Sequence, residues 1–176
     1  MKNTKNKKRR SHTSKLNSVL NFIPEPKTKN SELKKPFRKN ASVIARKNEK
    51  FLLVKKPRKQ HAWQFPQGGV EKNESFAEAA LREFTEEVGA SEIKISQEVG
   101  TYFYDWSDEK EVSGALQKFR GQEVHFFVAD FLAEDAVIKL DTNELEEWKW
   151  VNVAEIKNLI ESKEYLAKIL EIIDAN

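Results

Sequence analysis

The 176-residue chain reads as an α/β protein, a mixed sheet with helices packed against it. Three observations predict this. Short apolar segments with strand-like composition recur between Ser42 and Val151, a capped amphipathic helix spans Ser75 to Val88, and helical apolar spacing returns near the C-terminus. The length suits one domain with a sizeable core plus an extension.

Taken in order, Ser42–Ala45 and Phe51–Val54 alternate as two strands, turning at Lys47-Asn48-Glu49-Lys50. A glycine-containing loop follows, then the helix, with Ser75 available as N-cap and Gly89 as the left-handed stop. Ile93 to Trp106 has room for one or two strands. Glu123 to Leu132 reads as a long strand and Trp148 to Val151 as another. Val153–Ile160 and Tyr165–Ile173 read as helices, the second with Leu166, Ile169, Leu170 and Ile173 at core spacing.

The helix from Ser75 to Val88 carries the chemistry. Phe76, Ala80, Phe84 and Val88 line one face, while Glu83, Glu86 and Glu87, at i, i+3 and i+4, share another. Like charges on adjacent turns repel by about 0.2–0.5 kcal/mol per exposed pair, and by more when water is excluded. A solvated acidic face is the plain reading of such a run. Arg82 is the adjacent cation, but helical geometry aims it off the carboxylate face, so a divalent ion is the expected counter-ion. Hard oxygen donors, with no cysteine and only three histidines in the chain, favour Mg²⁺ or Mn²⁺ over zinc.

The spacing of the whole segment decides between these readings. Gly68, five residues, Glu74, seven residues, Arg82-Glu83, Phe84, one residue, Glu86-Glu87, one residue and Gly89 resembles the signature of the Nudix hydrolases. That resemblance implies a Nudix α/β/α sandwich with the mixed sheet between helices, and hydrolysis of a phosphoanhydride bond with Mg²⁺ or Mn²⁺. By the same resemblance Glu83, Glu86, Glu87 and the Gln67 carbonyl are metal ligands, and Glu74 and Arg82 brace loop and helix as an ion pair. Gly68 and Gly89 shape the backbone. Asn73 stands where glycine is common, and asparagine tolerates the positive φ such a turn needs. Ala90 replaces a larger aliphatic. Glu144, ahead of Trp148-Lys149-Trp150-Val151, matches a further metal-binding or base glutamate of the family, with Glu146 and Glu147 as neighbouring alternatives. Glu83 is the first candidate for the general base and Glu144 the second.

Other segments narrow the substrate class. His61-Ala62-Trp63-Gln64-Phe65-Pro66-Gln67-Gly68-Gly69 resembles the RNA 5′-pyrophosphohydrolases and the related diadenosine tetraphosphate hydrolases within the family. Phe37-Arg38-Lys39-Asn40, placed before the first strand, is similar to their entry segment, which makes Arg38 a candidate phosphate ligand. Tyr104-Asp105-Trp106-Ser107 and Gly121-Gln122 resemble segments of the dinucleotide hydrolases. Tyr104 is thus a candidate for stacking on a base, although aromatics on strands are commonly core residues. Lys55, Lys56, Arg58 and Lys59 form a cationic lip, of which Lys56 and Arg58 are assigned to substrate phosphates; surface solubility is the other account of such lysines. His125 reads as a half-buried strand residue, or else as a substrate contact.

Charge divides the chain. Residues 1–39 hold 13 Lys or Arg against Glu25 and Glu32, a net of +11, whereas the remainder carries 18 basic and 26 acidic residues, a net of −8. Residues 1–36 are accordingly expected to form a basic, largely disordered extension giving nonspecific, salt-sensitive contact with RNA, and residues 37–176 the hydrolase domain. Leu16, Val19, Leu20 and Ile23 within the extension have the spacing of a short amphipathic helix. No apolar run approaches the roughly 18 residues of a spanning helix, and zero cysteines exclude disulfide and thiol chemistry and fit a cytoplasmic protein. Two function classes remain. One is a metal-dependent pyrophosphohydrolase acting on the 5′-triphosphate end of RNA, with dinucleoside polyphosphates as the rival substrate. The other is an idle Nudix domain that binds RNA or ribosomes. The intact carboxylate cluster favours the enzyme.

Overall fold

A hairpin that splays apart organises the sheet. In the computed structural model, which describes residues 35–57, 63–106, 112 and 114–176, β1 (Phe37–Lys47) and β2 (Lys50–Lys55) pair only beside their turn, at Arg46–Phe51 and Lys47–Lys50. Asn48 and Glu49 hold φ of 49° and 60° there, the left-handed pair that a two-residue hairpin loop requires. Beyond the turn the strands take different partners. β2 receives β3 (Trp63–Gln64) and β7 (Glu147–Val151), both antiparallel. β1 receives β4 (Gln67–Gly69) antiparallel along Asn40–Ser42 and, on its other side, β6 (Gly121–Phe131) in parallel. β5 (Ile93–Asp105) closes the far edge against β6, with register shifts near Ile95–Gln97 and Glu98–Gly100. The sheet is therefore mixed, as expected, and Ile93 to Asp105 is one irregular strand.

Among the described residues three α-helices cover it. α1 (Phe76–Val88) starts at a capping box, in which Ser75 Oγ accepts from the Glu78 amide at 3.2 Å and Glu78 Oε2 accepts from the Ser75 amide at 2.8 Å. It stops at Gly89, with φ 69°, whose N–H reaches the Thr85 carbonyl. Ala80, Phe84 and Val88 are buried as the spacing predicts, against Val43, Leu52 and Phe131 of the sheet. α2 (Val153–Leu159) and α3 (Lys163–Ala175) cover the opposite face, where Ile156, Ile169 and Ile172 pack with Ile44, Leu53, Phe65 and Phe126. Helices on both faces, over two separate cores, make the α/β/α sandwich.

Two expectations change. Phe37 to Lys39 lie inside β1, because parallel pairing with Gly121–Glu123 extends the strand beyond its apolar segment. β3 and β4 also interrupt the segment read as loop. Residues 1–34 of the extension, including the spacing at Leu16 to Ile23, lie outside the described residues, as do Arg58, Lys59, His61 and Ser107.

Candidate active site

β4 enters the splay of the hairpin and brings Gly68 and Gly69 against α1. The Pro66 carbonyl accepts from the Val43 amide at 2.9 Å and from Ser42 Oγ at 3.1 Å, which fixes the strand's depth. Both glycines are then dictated by what crosses them. A Cβ on Gly68 would overlap the Glu83 carboxylate, and one on Gly69 would overlap the Arg38 guanidinium. Asn73, at φ 67°, takes the left-handed turn before the helix.

Arg82 is the hub of this edge. Its Nε and Nη2 donate to the two oxygens of Glu74 at 2.8 and 3.0 Å, and Nη2 also donates to the Gly69 carbonyl at 2.8 Å. Its Nη1 donates to Glu83 Oε1 at 2.9 Å and to Glu86 Oε2 at 3.0 Å. The expectation that Arg82 points away from the carboxylates is thus corrected: a long side chain with a five-donor fork reaches across the helical angle. The Arg82 hydrogen bonds hold the Glu74 carboxyl below its usual range, and Glu74 raises Arg82 in turn.

Glu87 behaves differently. It is 2% exposed, and burial pushes its carboxyl up, with the Lys56 ammonium and the Gln67 amide opposing the shift. Lys56 Nζ stands 3.2 Å from Oε1, and the Gln67 N–H donates to Oε2 at 2.9 Å. Glu144 is brought to the same place by its loop. The Lys139 amide bonds the Val88 carbonyl at 2.8 Å and the Asp141 amide bonds the Glu87 carbonyl at 3.1 Å, pinning the loop to the end of α1. Buried Leu145 anchors it from beneath. Glu146 and Glu147 instead lie 3.5 and 3.9 Å from Lys55, which separates them from Glu144.

A cleft of about 800 Å³ opens beside these groups. Gln67, Gly68, Glu83, Glu86, Lys56 and Glu144 border one side. Strand register continues the cleft across the sheet, because Arg38, Gln122 and Tyr104 are successive partners on β1, β6 and β5. Tyr102, Tyr104 and Trp106 border it, whereas Phe103 turns to the other face and packs on Phe37. His125 also faces away: it stacks on Phe76 at 3.6 Å between Glu98 and Glu123, a strand residue rather than a substrate contact. Glu74, Gly89 and the buried Glu87 do not border the cleft, whereas Arg82 and Gly68 do.

Sequence reasoning missed the amides lining the cleft. Asn40 Oδ1, Gln64 Nε2 and Gln67 Oε1 are buried with no hydrogen-bond partner among the described residues. Alternation along β1 sets Asn40 on the face of Arg38, the one signal that could have found it.

A model of the NUDIX domain matches residues 36–171. The chain belongs to the Nudix hydrolase family. It is similar to an RNA pyrophosphohydrolase of Sphingopyxis alaskensis, 36% identical over 136 residues covering 72% of this chain and 85% of that protein. It is also similar to an RNA pyrophosphohydrolase of Pelagibacter ubique, 32% identical over 71% of this chain and 82% of that one. Among solved structures, a C. elegans Ap4A hydrolase aligns with TM-score 0.62 at 24% identity, covering 78% of this chain and 96% of that one, a likeness of fold. This Nudix chain is thereby an enzyme that hydrolyses phosphorus-containing anhydrides. Among the described residues no helix is long and apolar enough to cross a membrane.

Nudix hydrolases generally use divalent metal ions, and the donors here fit one. Among the described residues no three carboxylates yet converge at ligating distance. Arg82 and Lys56 stand between them, so the sites that attract a cation are already occupied by protein cations. All the acidic donors are hard oxygens, suited to Mg²⁺ or Mn²⁺.

Proposed function

We propose that this Nudix hydrolase is a Mg²⁺- or Mn²⁺-dependent pyrophosphohydrolase acting on the 5′-triphosphate end of RNA. The observation that carries the reading is the junction of an intact Nudix carboxylate edge with a long cleft, in a chain whose two relatives named above are RNA pyrophosphohydrolases. Glu83, Glu86, Glu87, Glu144 and the Gln67 carbonyl would hold the metal. Bound there, the ion lowers the pKa of an attacking water and neutralises charge on the phosphates.

The chain's own residues supply the rest. Arg38, backed by Gly69, and Lys56 bind substrate phosphates; Arg38 makes no ion pair among the described residues and borders the cleft. Glu83 takes the proton of the water, with Glu144 as the alternative base. Tyr104 stacks on the base of the terminal nucleotide, at about two strand spacings, ~10 Å, from Arg38. Arg82 and Glu74 keep α1 and the box loop in register so that these groups meet. Residues 1–36 add sequence-independent contact with the RNA backbone, and the enzyme acts in the cytoplasm.

A substrate panel tests the proposal: triphosphorylated RNA, diadenosine tetraphosphate and nucleoside triphosphates, each with Mg²⁺ and with chelator. The expected result is Mg²⁺-dependent release of pyrophosphate or phosphate, with the highest kcat/KM on RNA. Preference for the dinucleotide would move the assignment to that substrate. No release from any of the three would end the enzymatic reading of this site.

A further inference from the structure

Lys56 follows the last residue of β2, and its ammonium lies 3.2 Å from Glu87 Oε1 and 3.8 Å from Glu144 Oε2. No other lysine or arginine among the described residues pairs with either carboxylate. A carboxylate as buried as Glu87 requires a charge partner when ionised. Lys56 is that partner here, and it also bridges to the loop that carries Glu144.

The two cations of the site are built differently. Arg82 is held by five hydrogen bonds that fix its plane, and it serves Glu74, Glu83 and Glu86. Lys56 makes one close contact, sits at the end of a flexible four-carbon stem and is 37% exposed on the cleft. A divalent ion bound by Glu87 and Glu144 would need the oxygens that the ammonium now holds. Two cations on the same oxygens repel, so the weaker-held one leaves.

We propose that Lys56 is an exchangeable counter-ion of the metal site: it holds Glu87 and Glu144 until a divalent ion replaces it, and the displaced ammonium then binds a substrate phosphate. The inference rests on the metal-dependent reading above and adds a coupling to it. Metal loading releases the cation that grips substrate, so a site without metal also lacks part of its phosphate grip. A lysine that served only as a phosphate ligand would leave metal affinity untouched.

The test is a Mn²⁺ titration of the full chain without substrate, in mildly alkaline buffer, followed by calorimetry or by the spin signal of free Mn²⁺. Wild type is compared with Lys56→Met, Lys56→Arg and Lys55→Met. Lys56→Met is expected to bind Mn²⁺ at least about threefold more tightly, because the competitor is gone. Lys56→Arg is expected to bind it more weakly, because a guanidinium fork holds Glu87 more firmly, and this variant keeps the test open if Lys56→Met fails to fold. Lys55→Met, whose native partners are Glu146 and Glu147, should match wild type. Melting adds a second readout: Lys56→Met should lose more midpoint in chelator than in saturating Mn²⁺. Equal or weaker Mn²⁺ binding by Lys56→Met, beside normal binding by wild type, overturns the exchange alone. Absence of Mn²⁺ binding by wild type overturns both the exchange and the metal-dependent reading.

Discussion

The two sides of the cleft solve opposite problems. On the side built by β4 and α1, four carboxylates find partners within the chain: Glu74, Glu83 and Glu86 on Arg82, Glu87 on Lys56 and the Gln67 amide. Along the sheet away from it, the buried Asn40 Oδ1 has no hydrogen-bond partner among the described residues, and Tyr102, Tyr104 and Trp106 border the cleft. Gln67 marks the boundary, its N–H bonded to Glu87 and its Oε1 without a partner among the described residues. The carboxylate side is held together by the chain's own cations, Arg82 and Lys56. The amide and aromatic side has polar atoms that a bound molecule or ordered water would satisfy.

That contrast predicts where damage falls on rate and where it falls on stability. The largest effect is expected from Glu86→Gln and Glu87→Gln. Each should lower kcat by about a thousandfold or more, since charge at the metal site is lost, with little loss of fold. Substantial residual turnover would break the assignment of this side to chemistry.

Next is Arg82→Ala, which removes five hydrogen bonds and leaves three carboxylates facing one another. The side chains involved are partly solvated, so a loss of about 2 kcal/mol is expected, on the order of 4–8 °C in melting temperature for a domain of this size. Calorimetric or optical melting measures it. A shift below 1 °C, as a rough bound, would mean that the network is ornamental to the fold.

The smallest effect separates two carboxylates by sign. Glu74 is held below its ordinary 4.5, so its contribution is full above that value and is lost as pH falls through its folded pKa. Glu87 is raised, so without metal its contribution is full below 4.5 and is lost as pH rises through its folded pKa. Melting in chelator across the acid range should show Glu74→Gln losing its disadvantage toward low pH and Glu87→Gln gaining on wild type toward neutral pH. Parallel profiles would contradict the pairing assigned to each group.

How much of this was legible follows from what is local. The caps of α1, the buried stripe of Phe84 and Val88, and the grouping of Glu83, Glu86 and Glu87 depend on residues within a few turns of one another. Sequence spacing carries all of that. β3 and β4 hold two and three residues, include or adjoin Pro66 and two glycines, and exist because β1 and β2 splay to receive them. No local pattern encodes such pairing. Arg82 was misdirected because a helical wheel fixes a Cβ and not the reach of a guanidinium. Arg38 and Tyr104 were separately suggested by resemblance, but their alignment through Gln122 depends on parallel and antiparallel register between distant strands.

The central claim is that one side of the cleft performs hydrolysis and the other selects the substrate. Its most direct measurement is kcat/KM on triphosphorylated RNA and on diadenosine tetraphosphate for wild type, Glu86→Gln and Tyr104→Ala. Glu86→Gln is expected to lose activity on both substrates by a similar factor, leaving their ratio unchanged. Tyr104→Ala is expected to keep kcat and to shift the ratio about fivefold or more through KM, the loss of one stacked base. A Tyr104→Ala enzyme with the wild-type ratio, or a Glu86→Gln enzyme whose ratio shifts while its kcat survives, would contradict the division.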